Sequence, residues 1–347
     1  SNAQSSPFMS AAVFFSTQFR LGLLFFISGC GVFYALRHRT QIEFLRERSW
    51  RLLIPLAFGI LVLVPPMVYL EKRYIGEIDA CIWSFLSSLL TNGAYPKGNL
   101  SWHHFWFIAY LYLFCLVGLR LFDWLRSSSG RNWLDRLARR VDARPSQIYL
   151  VIVPLLLIEL VLRPFFPGFR NLIADWASFN HWFVLFICGF VVAARPVFLQ
   201  TVEILRWRSL VLAAASSAIL LSIFWDYANM TLKLFPDGSI DVSRYIFFSS
   251  LRAINAWAWL LVCVGFAARY LNRPSKLISY LNKAVYPFFC LHLTVLVVLE
   301  FWILPLSWSI ATKYLVLTTL AVMIILVCYE ALKRIRFVRP LIGLSNG

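Results

Sequence analysis

The sequence has little of the polar surface that a water-soluble enzyme needs. Hydrophobic residues make up 60% of its 347 positions, and the mean hydropathy is +0.72. Too few polar side chains remain to cover a soluble globule, which excludes that class. No internal repeat at a fixed period, low-complexity tract or second domain is recognisable. A single all-α, polytopic helical bundle is therefore expected, because helices satisfy their own backbone groups in lipid.

Residue patterns typical of metal and redox sites are also missing. The seven cysteines lie mostly inside apolar runs, with no CxxC pair and no His/Cys spacing of a metal site. They are interpreted as small core residues, and neither a metal nor a bound cofactor is expected. No Ser-His-Asp arrangement is evident either. A net charge of +17 would suggest a nucleic-acid partner in a soluble protein, but in short loops on one side of a bilayer it indicates topology and contact with anionic membrane lipid instead.

Apolar runs long enough to cross a bilayer are what the sequence has in abundance. Spans of roughly 20 residues fit a hydrocarbon core of about 30 Å. About nine are predicted, at residues 11–35, 51–70, 102–122, 147–163, 180–195, 208–226, 247–269, 284–304 and 311–332. Many of the 14 tryptophans lie near span ends, which is typical of an interfacial belt, although some are candidates for stacking on a sugar ring.

Positive charge alternates between the loops that join these runs. Twenty-three of the 33 Lys and Arg fall in alternate loops, the last of them at the C-terminus. Loops rich in Lys and Arg lie on the cytoplasmic side, so the C-terminus is predicted inside and nine spans place the N-terminus outside. A chain that begins outside at Gln4 without a signal sequence is unusual, so an upstream helix is expected to have been lost. Residues 1–3 resemble a scar of tag removal, and residues 4–347 are predicted to form one membrane domain.

Two connecting segments have patterns of their own. Residues 71–101 form the longest outside connection and contain an apolar stretch, 82–90, that is too short to span. Residues 123–146 have the pattern of a short basic amphipathic helix, with Trp133, Leu134, Leu137 and Val141 between arginines. This helix either lies on anionic headgroups or grips a phosphorylated donor.

Charged and imidazole side chains inside spans are functional candidates, because a charge there costs on the order of 2.5 to 3.5 kcal/mol on insertion scales. They are His103, His104, Glu159, His181, Arg252, His292 and Glu300. With the predicted topology most of them fall in the outer half of the membrane, with His292 near the middle. The distribution indicates a polar cavity that opens to the outside and contains candidate general acids and bases.

Each candidate also has a structural interpretation. Glu159 and Arg163 are four apart on one helical face, in the favourable order for an ion pair. Arg252 and Glu300 either pair across helices or bind substrate, and His181 either caps its helix or takes part in function.

The histidines differ among themselves. His103 and His104 point about 100° apart on a helix, so at most one needs to face a cavity. His292 stands in the apolar run 288–293, and apolar surroundings would keep it neutral, as a base requires.

On the predicted cytoplasmic side, Arg48 and Arg51 begin a span three residues apart, on one helical face. Two guanidinium groups so placed can clamp a phosphate. Any basic residues would serve as a topogenic positive end, so both interpretations stay open here.

Five segments together resemble the membrane acyltransferase 3 family, and most closely its branch that succinylates periplasmic glucans. They are residues 24–31, 48–55, 64–70, 99–108 and 286–292, and the resemblance runs from about 14 to 335. It implies a bundle of about ten helices that passes an acyl group from cytoplasmic acyl-CoA to a carbohydrate hydroxyl outside. The family's first helix has a basic residue and a histidine ten positions later, and this helix is expected to be missing from the sequence.

By position, the resemblance places Arg48 and Arg51 at the donor and His104 and His292 in two of the family's histidine motifs. The sequence therefore predicts catalytic residues His292, His104 and His103, donor-binding residues Arg48 and Arg51, and acceptor or oxyanion candidates, which are Trp106, His181, Arg252 and Glu300. The expected function is an inner-membrane O-acyltransferase moving an acetyl or succinyl group. A transporter or flippase for a lipid-linked sugar and a non-catalytic membrane partner are the alternatives, although transporter-like related halves are not visible.

Overall fold

The computed structural model describes residues 6–168, 170–229 and 242–344, with the backbone alone at 224–229. Within these ranges the chain is helical and forms no named strand. Its α-helices are α1 (Pro7–Thr17), α2 (Arg20–Leu36), α3 (Gln41–Phe58), α4 (Pro65–Tyr74), α5 (Ile82–Ser87), α6 (Trp106–Val117), α7 (Leu119–Arg126), α8 (Ser128–Ala143), α9 (Ile152–Val161), α10 (Trp176–Ala194), α11 (Pro196–Asn229), α12 (Val242–Tyr270), α13 (Lys276–Ile303) and α14 (Ile310–Leu332).

The apolar helices confirm an all-α, multi-pass membrane protein. Seven helical stretches of the described residues are long and apolar enough to cross a bilayer, and α6 with α7, bent by 49°, makes up to eight. The remaining predicted span, 147–163, is shorter and begins as a 3-10 helix, Pro145–Val151, before α9. Seven residues rising about 2.0 Å and ten rising about 1.5 Å together cover roughly 29 Å, so this segment still matches the hydrocarbon thickness.

The described chain divides into two compact units. One contains residues 45–112 and 274–344, and the other contains 7–44 and 113–273 as far as they are described. The second unit is organised around the close crossing of α2 and α10. A Cβ atom on Gly29 would lie 1.9 Å from the Phe186 carbonyl oxygen, and one on Gly189 would lie 1.9 Å from that of Phe26. Glycine at both positions therefore lets the two backbones touch, as small residues do in membrane bundles.

A buried polar cluster joins α11 to α12 in the same unit. The Asn255 side-chain amide donates to Ser217 Oγ at 2.7 Å, to Ser216 Oγ at 2.9 Å and to the Ala213 carbonyl at 3.2 Å. Asn255 is fully buried. Side-chain hydrogen bonds between helices replace the hydrophobic effect as a source of specific pairing where lipid surrounds the helices.

The basic amphipathic helix predicted within 123–146 is confirmed as α8. Its apolar face, with Leu134, Ala138 and Val141 buried, packs into the core of its unit beside Val202 and Leu205 of α11. The protein itself therefore covers this apolar face, and contact with anionic headgroups stays a prediction for the basic residues of the helix. Trp133 stays part-exposed, at 38%.

In the other unit, α3 and α4 are joined by a π-helical turn, Gly59–Leu63. Pro65 and Pro66 follow it and have no backbone N–H to donate to the preceding turn, which explains the break in the α-helical pattern. The Leu63 carbonyl oxygen, at the end of this turn, accepts a hydrogen bond from Thr294 Oγ1 of α13 at 2.9 Å. Gly59 leaves room for the Phe105 ring, which a Cβ atom there would meet at 2.4 Å.

The long connection between α4 and α6 contains one short α-helix, α5 (Ile82–Ser87), in agreement with a stretch too brief to span. Phe85 on this helix is buried, whereas Trp83 is 76% exposed. Asn99, also buried, donates to Ser88 Oγ at 3.0 Å and accepts from Lys72 Nζ at 3.3 Å. These bonds attach the connection to α4.

Candidate active site

Two histidines from distant parts of the chain meet in the first unit. His104 lies in a 3-10 turn, His103–Phe105, that leads into α6, and His292 lies in the middle of α13. Their ring centroids are 5.0 Å apart, with the planes at 75°. The structure therefore brings together two of the three histidines predicted to be catalytic.

Hydrogen bonds to backbone carbonyls orient both imidazoles. His292 Nδ1 lies 2.7 Å from the Phe289 carbonyl oxygen, which can only accept, so the neutral ring carries its proton on Nδ1 and a lone pair on Nε2. His104 Nε2 lies 3.4 Å from the Cys290 carbonyl oxygen. His104 Nδ1 is buried and has no hydrogen-bond partner among the described residues. Each ring therefore donates to a backbone carbonyl through one nitrogen and has a lone pair on the other, which is the form in which an imidazole can accept a proton.

Aromatic rings surround the pair. Phe289 lies 5.3 Å from the His104 ring and 5.8 Å from the His292 ring, and Phe105 lies 4.3 Å from His104, between centroids. Phe105 is fully buried. Both imidazoles therefore lie in largely apolar surroundings, where two positively charged rings at this separation would repel each other.

His103 faces elsewhere, as expected for adjacent helical positions. Its Nδ1 lies 2.6 Å from Ser101 Oγ, and its Nε2 lies 3.9 Å from Glu71 Oε2. Its φ of +37° is rare for a side-chain-bearing residue, and Ser101 Oγ holds this turn by accepting the His103 backbone N–H at 3.1 Å. Tyr95 donates to Glu71 Oε1 at 2.9 Å, and burial with this bond raises the pKa of its phenol.

Glu300 and His103 line one cavity of about 320 Å³, whose other walls are mostly apolar. Glu71 also lines it. The sequence predicted that both residues lie in the outer half of the membrane and face a cavity, and in the structure they line the same one. Glu71 and Ser101 were missed altogether, because neither stands inside an apolar run where a polar residue is conspicuous.

The remaining predictions in this unit differ in their environments. Trp106 is 6% exposed and its ring packs against Tyr110, with centroids 5.2 Å apart, so it belongs to the core.

Arg51, a predicted donor-binding residue, is half exposed and lies 3.8 Å from Glu47. It lines a cavity of about 260 Å³ together with residues near the C-terminal end of the described chain. The Arg51 carbonyl accepts a 3.1 Å hydrogen bond from the Tyr286 hydroxyl. Arg48 is only partly buried, on the same helix.

The second unit contains a separate polar cavity of about 330 Å³. Glu159, 3% exposed, lies in its wall and accepts two hydrogen bonds from Arg163, at 2.9 and 3.2 Å. Arg163 also donates to Ser178 Oγ at 2.8 Å. The predicted Glu159–Arg163 ion pair is therefore confirmed.

Two further predicted residues join this carboxylate from other helices. His181 Nδ1 lies 3.3 Å from Glu159 Oε1, and Arg252 Nη1 lies 3.7 Å from Glu159 Oε2. Arg252 is 38% exposed and lines the cavity together with Trp182. The Trp182 ring stacks on Phe25, with centroids 5.5 Å apart. A flat ring beside several donors is a suitable lining for a polar ligand.

Comparison with known proteins agrees with these features. The sequence profile of a family described as "Acyltransferase domain" (Acyl_transf_3) matches residues 2–329. No curated protein and no solved structure matches the chain. The profile covers nearly all of the sequence, including both units and both histidines of the pair. The chain therefore belongs to the Acyltransferase domain family, and it is a multi-pass membrane acyltransferase.

Proposed function

We propose that the protein is an O-acyltransferase that moves an acetyl or succinyl group from cytoplasmic acyl-CoA to a hydroxyl of an extracytoplasmic carbohydrate, such as a glucan. The observation that carries this proposal is the His104–His292 pair, with ring centroids 5.0 Å apart among aromatic side chains. Transfer to a hydroxyl needs a base that is neutral and out of bulk water.

His292 is the proposed general base. Its Nδ1–H is held by the Phe289 carbonyl, so Nε2 is the atom that takes the proton of the acceptor hydroxyl. The acceptor oxygen then bonds to the thioester carbonyl carbon, and the carbon–sulfur bond breaks. The leaving CoA sulfur recovers the proton from the imidazolium, which returns the site to its starting state.

His104 is the proposed partner of that base. Its ring lies against His292, and its buried Nδ1 offers a lone pair to a proton or a substrate hydroxyl nearby. His103 is proposed as an additional proton carrier, since Ser101 and Glu71 approach its two ring nitrogens. Glu300 and Trp106 are proposed as acceptor or oxyanion residues, since Glu300 lines the cavity beside His103 and Trp106, although it packs in the core, follows His104 by two positions.

The polar cavity of the second unit is proposed to recognise carbohydrate. Its lining combines the hydrogen-bonding groups of His181 and Arg252 with the flat face of Trp182. Sugars present many hydroxyl groups along with an apolar ring face, so this combination suits them. Arg48 and Arg51 are proposed to bind the phosphates of the acyl-CoA donor.

The proposed sidedness depends on the distribution of Lys and Arg. The basic loops lie in the cytoplasm, the C-terminus lies inside, and the membrane is the bacterial inner membrane. Cys81, the exposed thiol of the long connection after α4, reports on this directly. A membrane-impermeant maleimide should label Cys81 when it is added to the outer face. Labelling only from the cytoplasmic face would contradict the proposed route.

The catalytic proposal is tested with His292→Ala and a matched control, His38→Ala, which changes an exposed histidine in the α2–α3 connection. Purified protein is incubated with radiolabelled acetyl-CoA or succinyl-CoA and a glucan acceptor. We expect His292→Ala to lower the transfer rate by roughly 10²- to 10⁴-fold and His38→Ala to leave it unchanged. A wild-type rate in a folded His292→Ala protein would refute the role of His292, and sugar movement without thioester consumption would indicate a transporter.

A further inference from the structure

A second cavity of the unit formed by 7–44 and 113–273 is lined by arginines from four segments of the chain. It measures about 540 Å³ and lies at the corner between α7 and α8. Arg37 follows α2, Arg126 ends α7, Arg131 lies in the first turn of α8, and Arg195 separates α10 from α11. None of these four arginines has a role in the proposed reaction.

The surrounding carboxylates do not neutralise it. Arg195 is committed, with Nε donating to Asp135 Oδ1 at 2.6 Å and Nη1 to the Ala194 carbonyl at 2.9 Å. In the part of the chain that the structure describes, Arg37, Arg126 and Arg131 have no carboxylate within 4.0 Å. Asp123 is the one acidic residue in the lining. Three guanidinium groups of the cavity therefore keep a positive charge that no carboxylate of the described residues pairs with.

The buried apolar floor of the cavity strengthens the electric field of these arginines. Leu125, Leu134 and Phe190 are almost fully buried beneath it, at 2%, 1% and 1% exposure. Low-dielectric walls reduce the screening of nearby charges and concentrate their potential in the opening. Ser127 caps α8 by accepting the Gly130 N–H at 3.2 Å, so the positive end of this sixteen-residue helix lies at the same place.

We infer that this arginine pocket, defined by Arg37, Arg126, Arg131 and Arg195, binds the phosphate group of a phosphorylated ligand. One guanidinium fork is enough for a carboxylate, whereas a phosphate or pyrophosphate has oxygens for several forks at once. The inference does not depend on the proposed reaction, because the pocket contains none of the residues assigned to it.

Two ligands supply this chemistry at a membrane surface. One is the headgroup of an anionic phospholipid, and the other is a soluble nucleotide such as CoA. Trp124 and Trp133 flank the corner, 42% and 38% exposed, with ring centroids 5.7 Å apart. Exposed tryptophans are enriched at the headgroup level of a bilayer. The pocket beside them therefore lies at the depth where lipid headgroups and soluble nucleotides both occur.

The test compares two double variants of equal charge. Arg126→Gln/Arg131→Gln removes two arginines of the pocket, and Arg136→Gln/Arg140→Gln removes two exposed arginines of α8 that do not line it. Binding of unacylated CoA is measured by calorimetry in neutral nanodiscs, and retention of phosphatidylglycerol by native mass spectrometry. We expect the pocket variant to weaken at least one ligand by about tenfold or more, and the control to change neither.

The pattern of losses identifies the source. A loss for CoA alone indicates a nucleotide, a loss for phosphatidylglycerol alone indicates lipid, and a loss for both indicates a general phosphate pocket. Unchanged binding in the pocket variant, or equal losses in the control, would overturn the inference.

A second measurement uses the wild-type protein, in case the variant does not fold. Phenylglyoxal labelling of Arg126 and Arg131, mapped by mass spectrometry, should be suppressed by CoA or phosphatidylglycerol relative to Arg136 and Arg140. Equal labelling of all four with each ligand would refute the inference independently.

Discussion

Two arginines contact the same buried carboxylate, and the structure predicts very different consequences of removing them. Arg163 makes two hydrogen bonds to Glu159, the shorter at 2.9 Å, and is 17% exposed. Arg252 approaches to 3.7 Å and is 38% exposed. Distance alone separates the two attractions by a factor of only about 1.3, because Coulomb energy falls as 1/r.

The difference between the two attractions therefore depends mainly on how strongly water screens each arginine from Glu159. With an effective dielectric of about 20 the attraction of Arg163 is about 6 kcal/mol, whereas Arg252, facing a cavity large enough for water, falls toward about 1 kcal/mol as the dielectric approaches 80. Removing Arg163 also leaves Glu159 buried without its two hydrogen bonds. We expect Arg163→Ala to lower the free energy of unfolding by about 3 to 5 kcal/mol and Arg252→Ala by less than about 1 kcal/mol.

The assay is unfolding of the purified protein in detergent, followed by circular dichroism during titration with a denaturing surfactant. A third variant, Glu159→Ala, completes the comparison, since deleting the carboxylate together with Arg163 should restore part of the stability lost by Arg163→Ala alone. Equal destabilisation by Arg163→Ala and Arg252→Ala would show that burial does not control this network, and the reasoning would fail.

Three further predictions concern packing and charge. Gly29→Ala should destabilise by about 1 to 3 kcal/mol or more, because its Cβ meets a facing carbonyl at 1.9 Å, whereas Gly31→Ala, with nothing within 4 Å, should be neutral or stabilising in thermal melts. The Arg195 hydrogen bond lowers the pKa of Asp135 below its ordinary value of 3.8. The stability that ionised Asp135 contributes is therefore fully present above pH 3.8 and is lost as the pH falls through the lowered pKa. The melting temperatures of Asp135→Asn and wild type should converge only in acid. Asn255→Ala should lower stability by about 1 to 2 kcal/mol, since double-mutant cycles put membrane hydrogen bonds near 0.6 kcal/mol each, and an unchanged melting temperature would contradict this.

Local patterns predicted local structure well. Hydropathy identified the membrane helices to within a few residues at most ends, because a helix in lipid needs a long apolar surface whatever its neighbours are. The four-residue spacing of Glu159 and Arg163 predicted an ion pair that the structure contains. The amphipathic pattern of α8 predicted the helix correctly but not its neighbour, since an apolar face packs equally well on lipid or on α11.

The candidate site was predicted only in part. His104 and His292 stand out in sequence as imidazoles in apolar runs, yet nothing in either run indicates that their rings meet. The same holds for the arginine pocket, where residues such as Arg37 and Arg131 each look like ordinary loop charges. Ser101 and Glu71 lie among other polar residues in the sequence, so no local pattern marks them as site residues. Only the turn at His103 brings them next to its ring.

Composition and periodicity by themselves determined that this protein lies in a membrane as a bundle of helices, because the energy of a span depends on its own residues and the lipid. Only the tertiary structure decided which polar groups share a cavity. Those groupings depend on helix crossings such as that of Gly29 and Gly189, and on the 3-10 turn that points His103 and His104 in different directions. Contacts between distant segments are set by packing, which no single run of residues specifies.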